Sequence, residues 1–544
     1  MHELQLFFLP LEQDLLSLEL GDSFHELYLD QNKMPIYQAS RALMQIQQRH
    51  GLFPRILGKG ENAMRLAKLL QRARRELDAD EAETPSMNMP STSIESLIVI
   101  DRDVDFATVL LTQLTYEGMI EEYVGIKHNK AEVDSAVLGA ASQSRQPQAN
   151  TSATVATPAA KQALKRTIAL ESSDSLYAQL RGTNFALVGP VLNKVARRLE
   201  SDFDVRHKAQ EISELRSFVN QLPGLQQEHQ SLAIHTNLAD DLSKQTRTDV
   251  FRTMLEVQQN VAAGTDPIYQ HETISDLISR NAPIAMVLRL LCLESTLSGG
   301  MRAKDLENFK RQVLHTYGYQ HLLTLSRLER AELLQPRSSA SALLLPVASS
   351  NPTPTTTTGT KTNYAYLRKE LSMIVDDYND QDPDDIAYVY SGYAPLSIRL
   401  IQCILQKPYM QSLHKAPLPL TPASTGWVGF EDILKSARGP TFTITQKPTD
   451  EKAYKAKVNL VAGTAATKYV FVMFLGGITF AEIAALRFIN TQLARDSLSG
   501  SGQQQKRKIV ICTTGIVSGR GIMEDLVEKA SLGSGLARAA AGGK

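Results

Sequence analysis

Short apolar runs alternate with helical periodicity at both ends of the chain. The runs are "LQLFFLP" around 5–10, "FPRILG" at 53–58, "SLIVID" at 96–101, "KYVFVMFLGG" at 468–477 and "RKIVICTTG" at 507–515. Each is rich in β-branched or aromatic residues and bounded by Gly, Pro or charge, the signature of a strand buried on both faces. Between them lie helical patterns. Residues 37–51 place Leu43, Met44 and Ile46 before a closing Gly51, and 61–77 group Met64, Leu66, Ala67, Leu69, Leu70 and Leu77. Such alternation predicts a doubly wound α/β body with a parallel sheet. Strands before 101 and again after 468 imply one sheet assembled from both chain ends, the middle being an insertion.

The middle has a different rhythm. From about 160 to 330 the periodicity is mostly helical, without convincing strand pairs, and one long helical stretch breaks near Pro283. A mixed region follows at 364–440. There "LRKELSMIVDDYND" reads as helix, with Leu367, Leu371, Ile374 and Val375 in register. The expected division is an α/β domain of 1–126 plus 446–544, a helical arm of 127–265 and a mixed α+β, mostly helical region of 266–445. Four stretches (78–94, 139–160, 336–362 and 497–507) are too polar or too rich in Ser, Pro, Thr and Gly to bury much surface. Of these, 139–160 and 336–362 are expected to be disordered insertions.

Composition narrows the function. The 544 residues carry 58 Lys plus Arg against 58 Asp plus Glu, which gives no support to a nucleic-acid-binding chain. Cys292, Cys403 and Cys512 lack paired spacing, so buried reduced thiols are expected and no metal knuckle. Residues 469–486 are the nearest approach to a membrane span. Gly476-Gly477, Thr479 and Glu482 make them a strand, turn and helix instead.

Candidate chemistry centres on "SLIVIDRDVDF". An apolar strand ending in Asp101-x-Asp103 is the opening of haloacid dehalogenase-like phosphatases, with one Asp as nucleophile and the next as proton donor. The order of the remaining motifs opposes it. The threonine strand ending in Thr513-Thr514 follows the acidic pair instead of preceding it, and Arg102 sits where a magnesium site would exclude a cation. A structural reading is available: Asp101 accepts from amides of the next turn, and Arg102 pairs with Asp105 or with Glu117, Glu121 or Glu122. Gly58-Lys59-Gly60 could cradle a phosphate or simply form a strand-to-helix turn. No nucleotide or H-E-x-x-H motif occurs, and His229 and His235, like His315 and His321, are six apart, a poor helical spacing for metal ligands. No catalytic residue, metal or cofactor is expected.

Several segments together resemble the SM (Sec-one/Munc-eighteen-like) family. They are Asp101-Arg102-Asp103 with "LTYEGMIEE" (114–122), "FLGGITFAEIAALRFI" (474–489), "LHTYGYQHLLTLSRLERAELL" (314–334), "DIAYVYSGYAPLSIRLIQ" (385–402) and "QLPGLQQEHQSLAIHTNLADDL" (221–242). The middle ones resemble a vacuolar-sorting subgroup. The family begins with a further α/β domain of roughly a hundred residues; here the resemblance starts in the second domain, so that domain and its syntaxin-peptide pocket are not expected in this sequence.

The resemblance implies a non-enzymatic chaperone of SNARE assembly for membrane fusion, which binds R- and Qa-type SNARE helices. It further implies a subunit of the HOPS and CORVET tethering complexes, joined to vacuolar protein sorting-associated protein 16. Such a protein would be cytoplasmic and held on late endosomal and vacuolar or lysosomal membranes by its partners. It implies that Gln221, Leu222, Pro223, Gly224, Leu225 and Gln226 form the SNARE-binding tip of the arm, where Pro223-Gly224 is expected to break the helix into a hairpin or bend. It implies a partner-subunit surface at Tyr388, Tyr390, Tyr393, Leu396 and Arg399. Asp101, Arg102, Asp105 and Glu482 are expected to form a structural charge cluster. The alternatives are the phosphatase and a tethering scaffold that never touches SNAREs.

Overall fold

The computed structural model describes residues 7–80, 89–134, 165–208, 212–265, 267–337, 361–413, 426–446, 467–499 and 506–527. The insertions expected at 139–160 and 336–362 lie outside these residues, apart from the flanking 336–337 and 361–362. The chain divides into two compact units, Met1–Gln113 with Thr253–Lys544, and Leu114–Arg252. The sequence alone suggested boundaries at 126 and 265.

The first unit is built on a seven-stranded sheet in the order β1-β2-β10-β9-β4-β3-β8. The strands are β1 Leu9–Glu12, β2 Leu15–Ser17, β3 Arg55–Lys59, β4 Ile94–Asp101, β8 Thr441–Thr445, β9 Lys468–Leu475 and β10 Arg507–Thr513. From β2 to β3 neighbours are parallel, and both edges are antiparallel, β1 on β2 and β8 on β3. The sheet therefore does draw its strands from both chain ends. The last six residues of β4 and of β9 are buried throughout, as expected where helices cover both faces. Two local features place the helices. Gly51, at φ 87°, closes the Met34–His50 helix, and Pro283 caps the Ile284–Leu297 helix where the long helical stretch was expected to break. Cys292, Cys403 and Cys512 are free and buried.

One expected helix is shorter than its periodicity. It ends at Glu370, because Ser372 takes a left-handed φ of 46° and Ile374 bridges to Tyr393 as extended chain.

The second unit adds a strand element to the mostly helical arm, where no convincing strand pair was expected. It holds a three-stranded antiparallel sheet of β5 Ile126–Lys127, β6 Lys130–Asp134 and β7 Lys165–Ala169. The β5–β6 hairpin turns on His128 and Asn129, both at positive φ (52° and 57°). That is the two-residue mirror-image turn that Asn-Gly usually announces. With His-Asn in its place, the signal was missed. The long helices Phe185–Lys208 and Ile212–Thr246 pack together, with an ion pair between Arg198 and Glu228.

The break expected at Pro223-Gly224 is absent. The Ile212–Thr246 helix runs through both residues. Proline lacks the amide donor and its ring crowds the carbonyl of Val219. Pro223→Ala should therefore stabilise this helix, by up to about 3 kcal/mol, the usual penalty of a proline in a helix interior. The checks are a higher melting temperature and a stronger helical dichroism signal; a fall in either would contradict the continuous helix.

Candidate functional site

The carboxyl end of β4 leads into the 3-10 turn Arg102–Val104, and every side chain there is buried. Asp101 accepts the Tyr28 hydroxyl, the Asn62 amide at 2.8 Å and Asn62 Nδ2 at 3.3 Å. The Asn62 amide belongs to the first turn of the Glu61–Asp80 helix. An internal carboxylate therefore occupies the helix N-terminus that could have held a phosphate. Gly60 is required for this approach: its φ is +112° and a Cβ there would lie 2.2 Å from Asp101 Cβ. Burial raises the Asp101 carboxyl, and the hydrogen bonds from Tyr28 and Asn62 pull it back. Lys59 turns inward, donating to the carbonyls of Leu434 (2.7 Å) and Gly439, and burial pushes its ammonium down to about 8 against the pull of Asp103.

Arg102 is the hub of the charge cluster. Its Nη1 donates to both oxygens of Glu482, at 3.0 and 2.8 Å, while Nε and Nη2 reach the Asp105 carbonyl at 3.1 and 2.7 Å. The Asp105 carboxylate lies 3.8 Å from Arg102. Glu117, Glu121 and Glu122, weighed as partners from the sequence, are not in this set. Glu482 completes a capping box: its carboxylate accepts the Thr479 amide at 3.0 Å, and the Glu482 amide donates to Thr479 Oγ1 at 3.2 Å. Asp105 caps the next helix, accepting Thr108 N at 3.1 Å and Thr108 Oγ1 at 2.6 Å, and also takes the Ser397 amide at 2.9 Å. The cluster thus ties β4, the helix after β9 and the chain near Ser397 into one piece.

The pair Asp101 and Asp103 is tied into the protein's own structure. Asp101 is wholly engaged, and Asp103 Oδ2 is salt-bridged to Arg438 at 3.2 Å. Burial, then the neighbouring Asp101, hold the Asp103 carboxyl well above the usual range. The threonine strand is architectural as well: Thr514 Oγ1 is hydrogen-bonded to Ser23 Oγ at 3.0 Å and accepts the Gly476 amide. Among the described residues no group of acids, histidines or cysteines is arranged to hold a metal, and no helix is long and apolar enough to cross a membrane.

The tyrosine surface expected at 388–399 is a core feature. Tyr388, Tyr390, Tyr393, Leu396 and Arg399 are all buried. Tyr390 donates to the Thr108 carbonyl, Tyr388 packs on Phe488, and Arg399 forms a fork on Asp385 with both bonds at 2.9 Å. The residues suited to an interface were misread because buried Tyr with an internal partner has the same composition as exposed Tyr at a hot spot.

Apolar side chains that are exposed lie elsewhere. Tyr319, Leu322 and Leu323, in the segment after the Ala303–Tyr317 helix, are 70%, 60% and 52% exposed. In the second unit, Gln221 to Gln226 lie within the Ile212–Thr246 helix and not at a turn. Pro223, Gly224 and Gln226 are exposed, and Leu222 and Leu225 half-buried. His235, set aside in the sequence for its poor metal spacing, proves central there. Its Nδ1 meets the Tyr116 hydroxyl at 2.9 Å, its Nε2 faces Asp174 at 3.3 Å, and its ring stacks on Tyr177.

Fold and site define an α/β scaffold whose central buried charges lock strand ends to the helices that follow them. The chain belongs to the Sec1 family, whose model matches residues 1–525, a family of non-enzymatic regulators of the SM type. It is 35% identical over 529 residues to vacuolar protein sorting-associated protein 33A of Rattus norvegicus, covering 97% of this chain and 76% of that one. It is 30% identical to the vacuolar protein-sorting-associated protein 33 homolog of Arabidopsis thaliana, with the same coverage. Among solved structures, the Unc18–syntaxin 1 complex from Monosiga brevicollis shares the fold at a TM-score of 0.57 and 13% identity, over 96% of this chain and 76% of that one.

Proposed function

We propose that this chain binds R- and Qa-type SNARE helices and guides their assembly for fusion at late endosomal and vacuolar membranes, as a subunit of the HOPS and CORVET complexes. The observation that carries the reading is the 35% identity with a vacuolar sorting protein across 97% of the chain. The Sec1-family relative solved as a complex with syntaxin 1 supports the SNARE half of it. Leu222 to Gln226, with Pro223, Gly224 and Gln226 exposed on a long helix, offers helix-to-helix contacts of the i, i+3, i+4 kind. With the tyrosines of 388–393 buried, the partner subunit, vacuolar protein sorting-associated protein 16, is assigned instead to the apolar projection of Tyr319, Leu322 and Leu323.

The test is capture of purified SNARE motifs by the full chain, with Tyr319→Asp as the companion variant. The parent should capture vacuolar SNARE motifs and co-purify with the partner subunit. The variant should keep the SNAREs and lose the subunit by roughly tenfold or more in affinity, as for an aromatic hot spot. A parent that holds the partner subunit but no SNARE motif is a pure tethering scaffold, and the SNARE reading falls.

A further inference from the structure

A cavity of about 450 Å³ opens in the first unit, walled by the ends of three helices and by the segment from Lys361 to Arg368. Three cations line it: Arg337, Lys361 and Arg368. Among the described residues none of them has a carboxylate within 4 Å. Arg337 donates from Nε to the Gly300 carbonyl and from Nη2 to the Ser298 carbonyl, and Arg368 from Nη1 to the Ala263 carbonyl. Each guanidinium carries five N–H donors, so donors remain on both. Lys361 has neither hydrogen-bond nor salt-bridge partner among the described residues. Burial lowers the pKa of Lys361, with Glu332 offsetting part of the shift, and burial likewise lowers that of Arg368, the mark of charge partly withdrawn from water. Gly264, at φ +75°, is shaped to this arrangement, since a Cβ there would lie 1.8 Å from Arg368 Nη1.

The lining also includes two acceptors in want of donors. Gln270 Oε1 and Glu294 Oε2 are buried with no hydrogen-bond partner among the described residues, and both residues are more than nine-tenths buried. The other Glu294 oxygen is taken by His271. Pro267 and Gln270 bring the first turn of the Pro267–Ser279 helix to the cavity, whose dipole adds to the positive field. An inorganic anion would satisfy the cations and leave the acceptors empty. A neutral sugar would do the reverse. From these two sets of groups we infer that the cavity binds a phosphorylated polyol, an inositol phosphate, with phosphates on Arg337, Lys361 and Arg368 and ring hydroxyls donating to Gln270 and Glu294. Nothing in this site depends on the SNARE-binding reading, and the two fail separately.

The test is calorimetric titration of the full chain with inositol trisphosphate, beside pyrophosphate and unphosphorylated inositol, and flotation with phosphatidylcholine vesicles that do or do not carry a phosphoinositide. Inositol trisphosphate should bind saturably, pyrophosphate more weakly and inositol not at all. Lys361→Gln, which removes no hydrogen bond or ion pair among the described residues, and Arg337→Gln should each weaken binding by about tenfold, the effect of one charge-assisted bond. Flotation that depends on Lys361 identifies a lipid headgroup as the source, and soluble binding without flotation identifies a free inositol phosphate. Absence of saturable binding, equal affinity for pyrophosphate, or equal affinity of Lys361→Gln and parent would each overturn the assignment.

Discussion

Glu482→Gln should lower the stability of the first unit by about 3–5 kcal/mol, the range for removing one partner of a buried ion pair. Arg102 and Glu482 are both fully buried, so Arg102 would keep its charge with no water to solvate it. The same side chain also accepts the amide and hydroxyl of Thr479 and the hydroxyl of Ser397. A glutamine can present its amide oxygen to only part of that set, so the capping box loosens with the ion pair. The nearby backbone has little freedom to adjust. Gly476 sits at φ +84°, where a Cβ would lie 2.6 Å from the Tyr28 ring and 3.0 Å from Arg102 Cβ. Denaturant midpoints of parent and variant measure the effect, and an unshifted midpoint would refute it. The paired replacement Arg102→Met with Glu482→Met separates charge from packing. It should be less harmful than the sum of the single changes, because the uncompensated charge is gone.

Much of the first unit was written locally. β4, β9 and β10 are continuous apolar runs, and a strand buried on both faces needs no more than that to be recognised. The edges were harder. β8, "TFTIT", alternates and is antiparallel to β3 across nearly four hundred residues of chain. Its five residues carry no trace of which strand they join. The charge cluster divides the same way. Thr479-x-x-Glu482 is a local signal and could be read as a helix start, whereas the partnership of Glu482 with Arg102 spans |i−j| = 380. Arg102 chose the distant acid over the helical glutamates near it because β4 and β9 are adjacent in the sheet, which brings their following turns together. The misplaced readings share a cause. Pro223 was read by propensity, a weak guide once a helix is held by a packed neighbour. The tyrosines of 388–393 were read by residue type, which does not report burial. His235 was judged by its spacing from His229, though its partners Tyr116, Asp174 and Tyr177 come from other elements.

That histidine should govern how firmly the long helix is fixed within the second unit, and the fixing should weaken in acid. His235 lies on the Ile212–Thr246 helix and is buried between Tyr116 and Tyr177. With its Nε2–H toward Asp174, Nδ1 accepts the Tyr116 hydroxyl. Ser231, one turn earlier, donates to the same Asp174 oxygen at 2.6 Å, and Asp174 Oδ1 caps the Ser175–Leu180 helix through the amides of Leu176 and Tyr177. The Tyr177 hydroxyl in turn donates to Glu117 at 2.7 Å. His235→Ala removes the ring stack and strands the Tyr116 hydroxyl in the interior, a combined loss of about 2–4 kcal/mol. It should appear as faster proteolysis of the 212–246 helix and a lower melting temperature. Burial alone would raise the Asp174 carboxyl, but hydrogen bonds from His235, Ser231 and the Tyr177 amide outweigh it and hold it below the usual carboxylate range. A carboxyl depressed in the folded state stabilises fully above its unfolded value of about 3.9 and loses that contribution as pH falls toward the folded value. The parent should therefore lose part of its resistance to proteolysis as pH drops below about 4, and Asp174→Asn should show a smaller loss over the same interval from a lower starting level. Asp174 is partly open to solvent, which keeps this acid effect smaller than the histidine effect. Identical acid profiles for parent and Asp174→Asn would remove Asp174 from the mechanism, while an unaltered cleavage rate in His235→Ala would remove the histidine as the anchor of the helix.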